Sequence, residues 1–417
     1  MRHEGKGPTT RVAPCNRRSA HASSQIDLRI SESMEHFTYH NPTRIIFGEG
    51  QIAALDAEIP RDATVLITSG GGSIKRNGVL EEVEDALGER KHFVFEGIEP
   101  NPTYETLMKA VALAREKKVD FLLAVGGGSV IDGTKFIAAA LKFDGEAWDI
   151  LAKQVPVHDA VPFGCVLTLP ATGSEMNNGG VISHRAKGDK LPFRSDATYP
   201  RFSVLDPTTT FSLPPRQIAN GVVDAFVHVV EQYLTYPVQA KVQDRFAEGL
   251  LLTLKEVGPE AMANPHDYDV RANVMWAATL ALNGLIGAGV PQDWATHMLG
   301  HEITALHGLD HAQTLAIVLP AMLEVRREEK RYKLLQYAER VWNIRDGSED
   351  DRITAAIGAT REFFERMTVK THLSDYQIDG SSLEPLIAKL MEHGMTALGE
   401  HGDITPEVSR RVYQLAA

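Results

Sequence analysis

The sequence predicts an α/β domain followed by an all-helical one, and three observations carry that prediction. Up to about residue 205, short apolar runs alternate with segments of helical period. From Gln217 onward only long helical segments follow. Two of the early apolar runs end in glycine clusters that lead into a helix. Strands alternating with helices make a parallel sheet covered on both faces, because each crossover helix lays its apolar stripe on the sheet.

The chain opens differently. Its first 33 residues are basic and rich in Ser, Pro and Gly, without a hydrophobic period or the apolar core of a secretory signal. They read as a disordered extension, 1–33, with Met34 opening the folded chain. Residues 63–73, ATVLITSGGGS, are the first strand and its glycine turn, and GVLEEVEDALG is a helix stopped by Gly88. KHFVFE (91–96) is a second strand, residues 104–118 a helix, and DFLLAVGGGSVID (120–132) a third strand entering a helix. Further short strands fall at Gly164–Leu169 and Phe202–Leu205. The Pro-rich stretch 205–215 marks the boundary, giving an α/β unit over 34–212 and a helical unit over 213–417. Helical segments there include 217–234, 238–256, 269–287 and 314–342.

Composition narrows the function classes. Lys+Arg 43 against Asp+Glu 55 leaves a net charge of −12, the wrong sign for a nucleic-acid or anionic-membrane partner. No apolar run approaches the roughly 18 residues of a membrane span. The two cysteines, Cys15 and Cys165, form no motif, which points to a reduced, cytoplasmic setting.

The glycine clusters are the first candidate site. Gly126, Gly127, Gly128 and Ser129 turn from strand to helix, where backbone amides and a helix N-terminus favour a diphosphate. Tight strand–helix turns also use glycine without any ligand, and the G-x-G-x-x-G fingerprint is absent. A second turn, SGGGSIKRNG (69–78), follows the first strand. LTLPATGSEMN (167–177) offers small hydroxyl residues to a phosphate or nicotinamide, or is simply a polar loop.

Histidines are the second. HMLGHEITALHGLDH puts four imidazoles between His297 and His311, with His297 and His301 one helical turn apart. Alone, the tract could be a solvated surface. In NGVVDAFVHVVEQ, Asp224 and His228 stand at i, i+4 on an apolar helix, where polar groups need partners. A structural Asp–His hydrogen bond is one explanation. With His297 and His311 the alternative is a carboxylate and three imidazoles, a donor set for a divalent transition metal with an open position.

Taken together, GGGSVID at 126–132, PATGSE at 170–175, DAFVH at 224–228 and HMLGHE at 297–302, continuing to His311, resemble the metal-dependent, iron-activated (group III) alcohol dehydrogenases. The resemblance is to their NADPH-dependent butanol dehydrogenase and aldehyde reductase branch, and it covers nearly the whole chain from Met34. It implies a Rossmann-like dinucleotide-binding domain and a helical domain in a dehydroquinate synthase-like architecture, with the site in the cleft between them. It implies Asp224, His228, His297 and His311 as ligands of one Fe²⁺ or Zn²⁺, with His301 as the nearby catalytic histidine that does not ligate. It places the diphosphate on Gly126 to Ser129 and Thr172, Ser174 and Lys190 near the nicotinamide and its ribose, with Asp132 and Thr168 also among the cofactor-binding residues. A homodimer is implied as well.

One departure bears on the cofactor. NAD-using relatives carry an acid in the first glycine turn, where this chain has Gly71, followed by Gly72, Ser73 and Lys75. Without that carboxylate nothing repels a 2′-phosphate, and Ser73 and Lys75 can donate to it, so NADP(H) is expected. The activity implied is reduction of an aldehyde to a primary alcohol: the metal polarises the carbonyl, the nicotinamide delivers hydride, and His301 relays the proton. The rivals are a lyase of the dehydroquinate synthase type and an NAD-dependent polyol dehydrogenase. A metal hydrolase would leave the glycine turns without a role.

Overall fold

The computed structural model describes residues 33–417, so the expected extension lies, but for its last residue, outside the described residues. Six parallel strands form the sheet: β1 (Arg44–Phe47), β2 (Val65–Ser69), β3 (His92–Phe95), β4 (Phe121–Gly127), β5 (Phe163–Leu169) and β8 (Phe202–Leu205). Their order is β1-β8-β5-β4-β2-β3. The sequences of β2, β4 and β5 are near-continuous apolar runs because parallel strands are covered on both faces. Alternate side chains serve opposite cores. Leu66, Leu122, Ala124, Cys165 and Leu167 pack against Ile131, Phe136 and Ile137 on one side. Val65, Ile67, Leu123, Val125 and Val166 meet Leu55, Val83 and Leu87 on the other.

Two strand features differ from expectation. The edge strand β1 (RIIF) is too short to show a period, and it forms by pairing in register with β8. An antiparallel hairpin, β6 (Gly179–His184) and β7 (Asp189–Arg194), occupies a stretch in which the sequence predicts no element. Its Gly-Gly start and Pro192 hide it from a propensity argument. It packs on the helix Gly128–Lys142 and carries Lys190 toward the helical half.

Past Leu205 a short 3₁₀ turn, Pro207–Thr210, precedes the helix Pro215–Tyr233, which has proline in its first turn and is the most buried helix of the second half. The next helix runs Lys241–Ala263, through Pro259 and beyond the expected end near 256. Tyr268–Ala281 stops short of 287, and Gly284 turns there with φ +90°. The stretch expected as one helix over 314–342 is two, His311–Val325 and Arg331–Arg340. The break is held by Lys330, whose Nζ reaches Leu234 O, Asp293 and Glu400 at 2.7–2.8 Å. Four further helices, Ala295–His307, Glu349–Arg366, Leu383–Glu392 and Pro406–Leu415, complete this half. Residues before β1 also touch it: Glu35 N donates to Gly289 O, and Asn41 Nδ2 to Asn283 O as well as to Met176 O on the sheet side.

Candidate metal and cofactor site

Helical spacing puts Asp224, His228 and Glu231 on one face of the helix Pro215–Tyr233, all three buried. The helix Ala295–His307 presents His297 and His301, also buried, so these two are not part of a solvated tract. Gly308, at φ +72°, ends that helix, and Asp310 caps the next in a capping box with Gln313. This tight reversal returns His311 to His297, with ring centroids 5.1 Å apart. His228 stacks on His297 at 4.6 Å. One donor atom each from Asp224, His228, His297 and His311 lies within 4.8 Å of every other. His301 stands 5.3 Å from the His311 ring, and His307 lies outside the cluster.

The cluster does not satisfy itself. Asp224 Oδ1 and His228 Nδ1 are 3.5 Å apart, and neither has a hydrogen-bond partner, so the simple Asp–His bond is not made. His297 Nε2 and His311 Nδ1 are likewise buried and unpartnered. Burial pushes Asp224 up to about 8, against the pull of Lys190. It pushes His297 down to about 3 and holds His228, His301 and His311 well below the usual histidine range. A buried carboxylate facing neutral imidazole lone pairs is costly by itself and suited to a divalent cation. The residues therefore fit a metal.

On the sheet side, both glycine turns sit at strand carboxyl ends, next to one another because Ser69 of β2 pairs with Val125 of β4. Around Gly71 nothing lies within 4 Å of where a Cβ would be, and Gly72 adopts φ +80°. Ser73 starts a short helical turn. Lys75 is not free: its Nζ pairs with Glu96 at 2.7 Å on the surface. The second turn is closed. A Cβ on Gly126 would lie 2.6 Å from Val130, on Gly127 2.9 Å from Leu169, and on Gly128 2.3 Å from Thr172 Oγ1. Ser129 Oγ accepts from Asn101 N at 3.3 Å.

The remaining cofactor candidates divide. Thr168 is buried in β5, and Thr172 Oγ1 accepts from Ser174 N. Ser174 Oγ donates to Asp132 Oδ1 at 2.5 Å and accepts from Lys135 Nζ at 2.8 Å. Asp132 Oδ2 accepts from Val181 N. Asp132 and Ser174 thus have their polar atoms engaged in an internal network that ties the 128–142 helix to β6. Lys190 Nζ donates to Asn101 Oδ1 at 2.8 Å, and burial pushes it down to about 8. Its charge acts on Asp224, His297, His301 and His311, which makes it the residue of the α/β half nearest in effect to the histidines.

Sequence reasoning passed over three groups. Lys135 is fully buried and donates to Ser174, Asn177 and Gly179 O. Glu231 accepts from His297 Nδ1 and from Thr296 N. An acid three residues past His228 on an apolar helix was the available signal. His393 bridges Glu302 and Asp189, a contact across 91 and 204 residues that no local pattern reveals.

Comparison with known proteins identifies the family. Residues 42–207 match the family described as iron-containing alcohol dehydrogenase, and residues 218–403 its C-terminal domain family. The chain is 66% identical over 386 residues to the NADPH-dependent aldehyde reductase YqhD of Escherichia coli K12, covering 92% of this chain and 100% of that one. The crystal structure of E. coli K-12 YqhD superposes with a TM-score of 0.92 at 65% identity, over 93% of this chain and 100% of that one. The NADH-dependent butanol dehydrogenase A of Thermotoga maritima gives 0.89 at 32% identity, again over 93% and 100%. The chain belongs to the iron-containing alcohol dehydrogenase family.

Proposed function

We propose that this protein reduces aldehydes to primary alcohols with NADPH and a bound divalent metal. The observation that carries the proposal is a set of four donor residues, three buried and His311 half-buried, each with an unpartnered atom, in a chain that also has two glycine turns on adjacent strand ends. The 66% identity to an NADPH-dependent aldehyde reductase supports the same activity. Residues 34–212 would bind the dinucleotide and 213–417 the metal. No helix among the described residues is long and apolar enough to cross a membrane. The buried free Cys165 suits a cytoplasmic enzyme, and family resemblance favours a homodimer.

When bound, the metal supplies a Lewis acid and the nicotinamide a hydride donor. Asp224, His228, His297 and His311 would hold the ion, and either Fe²⁺ or Zn²⁺ accepts such a set. Gly126 to Ser129 would present helix N-terminal amides to the diphosphate. Gly71 and Gly72 leave room at the adenosine end, where Ser73 and Lys75 would meet a 2′-phosphate in competition with Glu96. Thr168 and Thr172 line the strand end beside the second turn, with Asp132 and Ser174 bracing it from within. Lys190, held by Asn101, would orient the ribose from the hairpin. His301 keeps an unpartnered Nδ1, so it could release a proton to the product oxygen from one nitrogen while accepting at the other.

Loss of absorbance at 340 nm with NADPH and butanal tests this directly. Steady oxidation with alcohol formed is expected. Cofactor binding without net oxidation would favour a lyase that uses the nicotinamide transiently.

A further inference from the structure

A metal-ligating imidazole needs its other nitrogen fixed, because that bond decides which nitrogen keeps its lone pair. Of the three candidate histidine ligands, His297 is the one whose ring makes such a bond among the described residues. Its Nδ1 lies in hydrogen-bond contact with Glu231 Oε2 and donates to it when Glu231 is a carboxylate. The second carboxylate oxygen, Oε1, accepts from Thr296 N at 2.7 Å, the backbone amide next to the ligand itself. His297 Nε2 has no partner and is the nitrogen left to face Asp224, His228 and His311. His228 stacks on one side of the ring, and Trp294 meets it edge-on at 5.3 Å.

Glu231 is 3% exposed, and nothing about an apolar core asks for a carboxylate there. The first turn of the Ala295–His307 helix supplies what it needs: an N–H donor and the positive end of a helix. The cap alone does not explain it, since Asp293 Oδ1 already accepts from Ala295 N at 2.9 Å. Asp293 is in turn held by Lys330 and by the Glu231 backbone, its N donating to Glu231 O at 3.0 Å, so this helix start keeps anchors that do not use the Glu231 side chain.

We propose that Glu231 is a positioning residue for the metal, holding His297 in the tautomer whose Nε2 can ligate. The proposal rests on the reading of Asp224, His228, His297 and His311 as a metal site. Glu231→Gln is the informative change because it keeps the size and one acceptor. With its oxygen on Thr296 N–H, the amide NH₂ would face His297 Nδ1. That favours the tautomer protonated at Nε2, which has no lone pair for a metal.

The experiment is zinc affinity of the metal-stripped full-length protein, measured by chelator competition for wild type and Glu231→Gln, with the absorption spectrum of the cobalt-loaded forms. The variant is expected to bind about 10–100-fold more weakly and to show an altered cobalt spectrum, while the metal-free proteins melt alike. Equal affinity with an unchanged spectrum overturns the proposal, as does a loss of metal-free stability that fully accounts for the weaker binding. Wild type that binds no zinc or cobalt refutes the metal site itself and the proposal with it. If Glu231→Gln does not fold, nitrogen NMR of histidine-labelled, cadmium-loaded wild type decides. A cadmium-coupled Nε2 on a ring with a hydrogen-bonded Nδ1 proton supports the proposal. Its absence from every cadmium-coupled histidine overturns it.

Discussion

The two glycine-rich turns look alike in sequence and differ in structure. SGGGS after β2 and VGGGS after β4 each carry a strand into a helix. Yet Gly71 faces open space, whereas Gly126, Gly127 and Gly128 each face one of the protein's own side chains at under 3 Å. At Gly71 nothing of the protein fills the space, although a Cβ on Gly70 beside it would meet Ile98 O at 3.3 Å and Gly72 takes φ +80°; in the second turn Val130, Leu169 and Thr172 already fill it. Identical composition therefore has two causes, room for a ligand and close internal packing. Substitution should separate them.

The largest effect is expected where neither turn is touched. Asp224→Ala removes one of four donors and should abolish turnover through loss of metal, with both turns still binding cofactor. Metal analysis of the purified variant checks this, and a variant that retains stoichiometric metal removes Asp224 from the ligand set. Next is Gly128→Ala. Its methyl group would meet Thr172 Oγ1 at 2.3 Å, and overpacking of this kind costs about 1–3 kcal/mol. Denaturant unfolding should register that loss, whereas Gly71→Ala should stay within about 0.5 kcal/mol of wild type. Equal stabilities would erase the difference between the turns.

Gly71→Asp probes the open turn as a ligand site. Gly71 has no positive φ and no neighbour within 4 Å, so the side chain fits. A carboxylate there should lower kcat/KM for NADPH by about one to two decades, the equivalent of one lost charge-assisted contact. Steady-state kinetics with both cofactors is the measurement. Wild type preferring NADH, or a ratio unmoved by the mutation, would show that the ribose does not lie at this turn.

The smallest effect concerns pH and lies away from both turns. His393 Nδ1 faces Glu302 at 2.7 Å and Nε2 faces Asp189 at 3.2 Å, with Lys389 beside Asp189. The bond to Glu302, then its charge and that of Asp189, hold the His393 pKa above 6.5 against partial burial. A raised folded-state pKa means the stabilisation is complete below about pH 6.5 and fades as pH rises through the folded value. The melting-temperature gap between wild type and His393→Gln should accordingly narrow on going alkaline. A gap that widens would mean that the neutral imidazole is the form the bridge prefers.

Much of the fold was legible because its signals are local. A central parallel strand has to be apolar along its length, so β2, β4 and β5 announce themselves. Asp224 and His228 stand out because a polar pair on an apolar helix is costly without a purpose. The edge strand β1 and the hairpin β6–β7 were not legible, since four residues hold no period and a strand beginning Gly-Gly looks like a turn. The split at 326–330 was hidden too, because no Gly or Pro stands there and the charged run RREEK suits a helix; only the tertiary contacts of the buried Lys330 mark the break.

Sequence by itself determined the order of an α/β half and a helical half, the two glycine turns and, through the family resemblance, the four candidate metal ligands, because the motifs that carry each of these are short local runs. Tertiary structure decided what the residues face. Only packing distinguishes the open turn at Gly71 from the closed one at Gly128, engages Ser174 and Asp132 with each other, pairs Lys75 with Glu96, and sets Glu231 behind His297. Those contacts join residues tens of positions apart, and their energies depend on distance and burial, which no one-dimensional pattern carries.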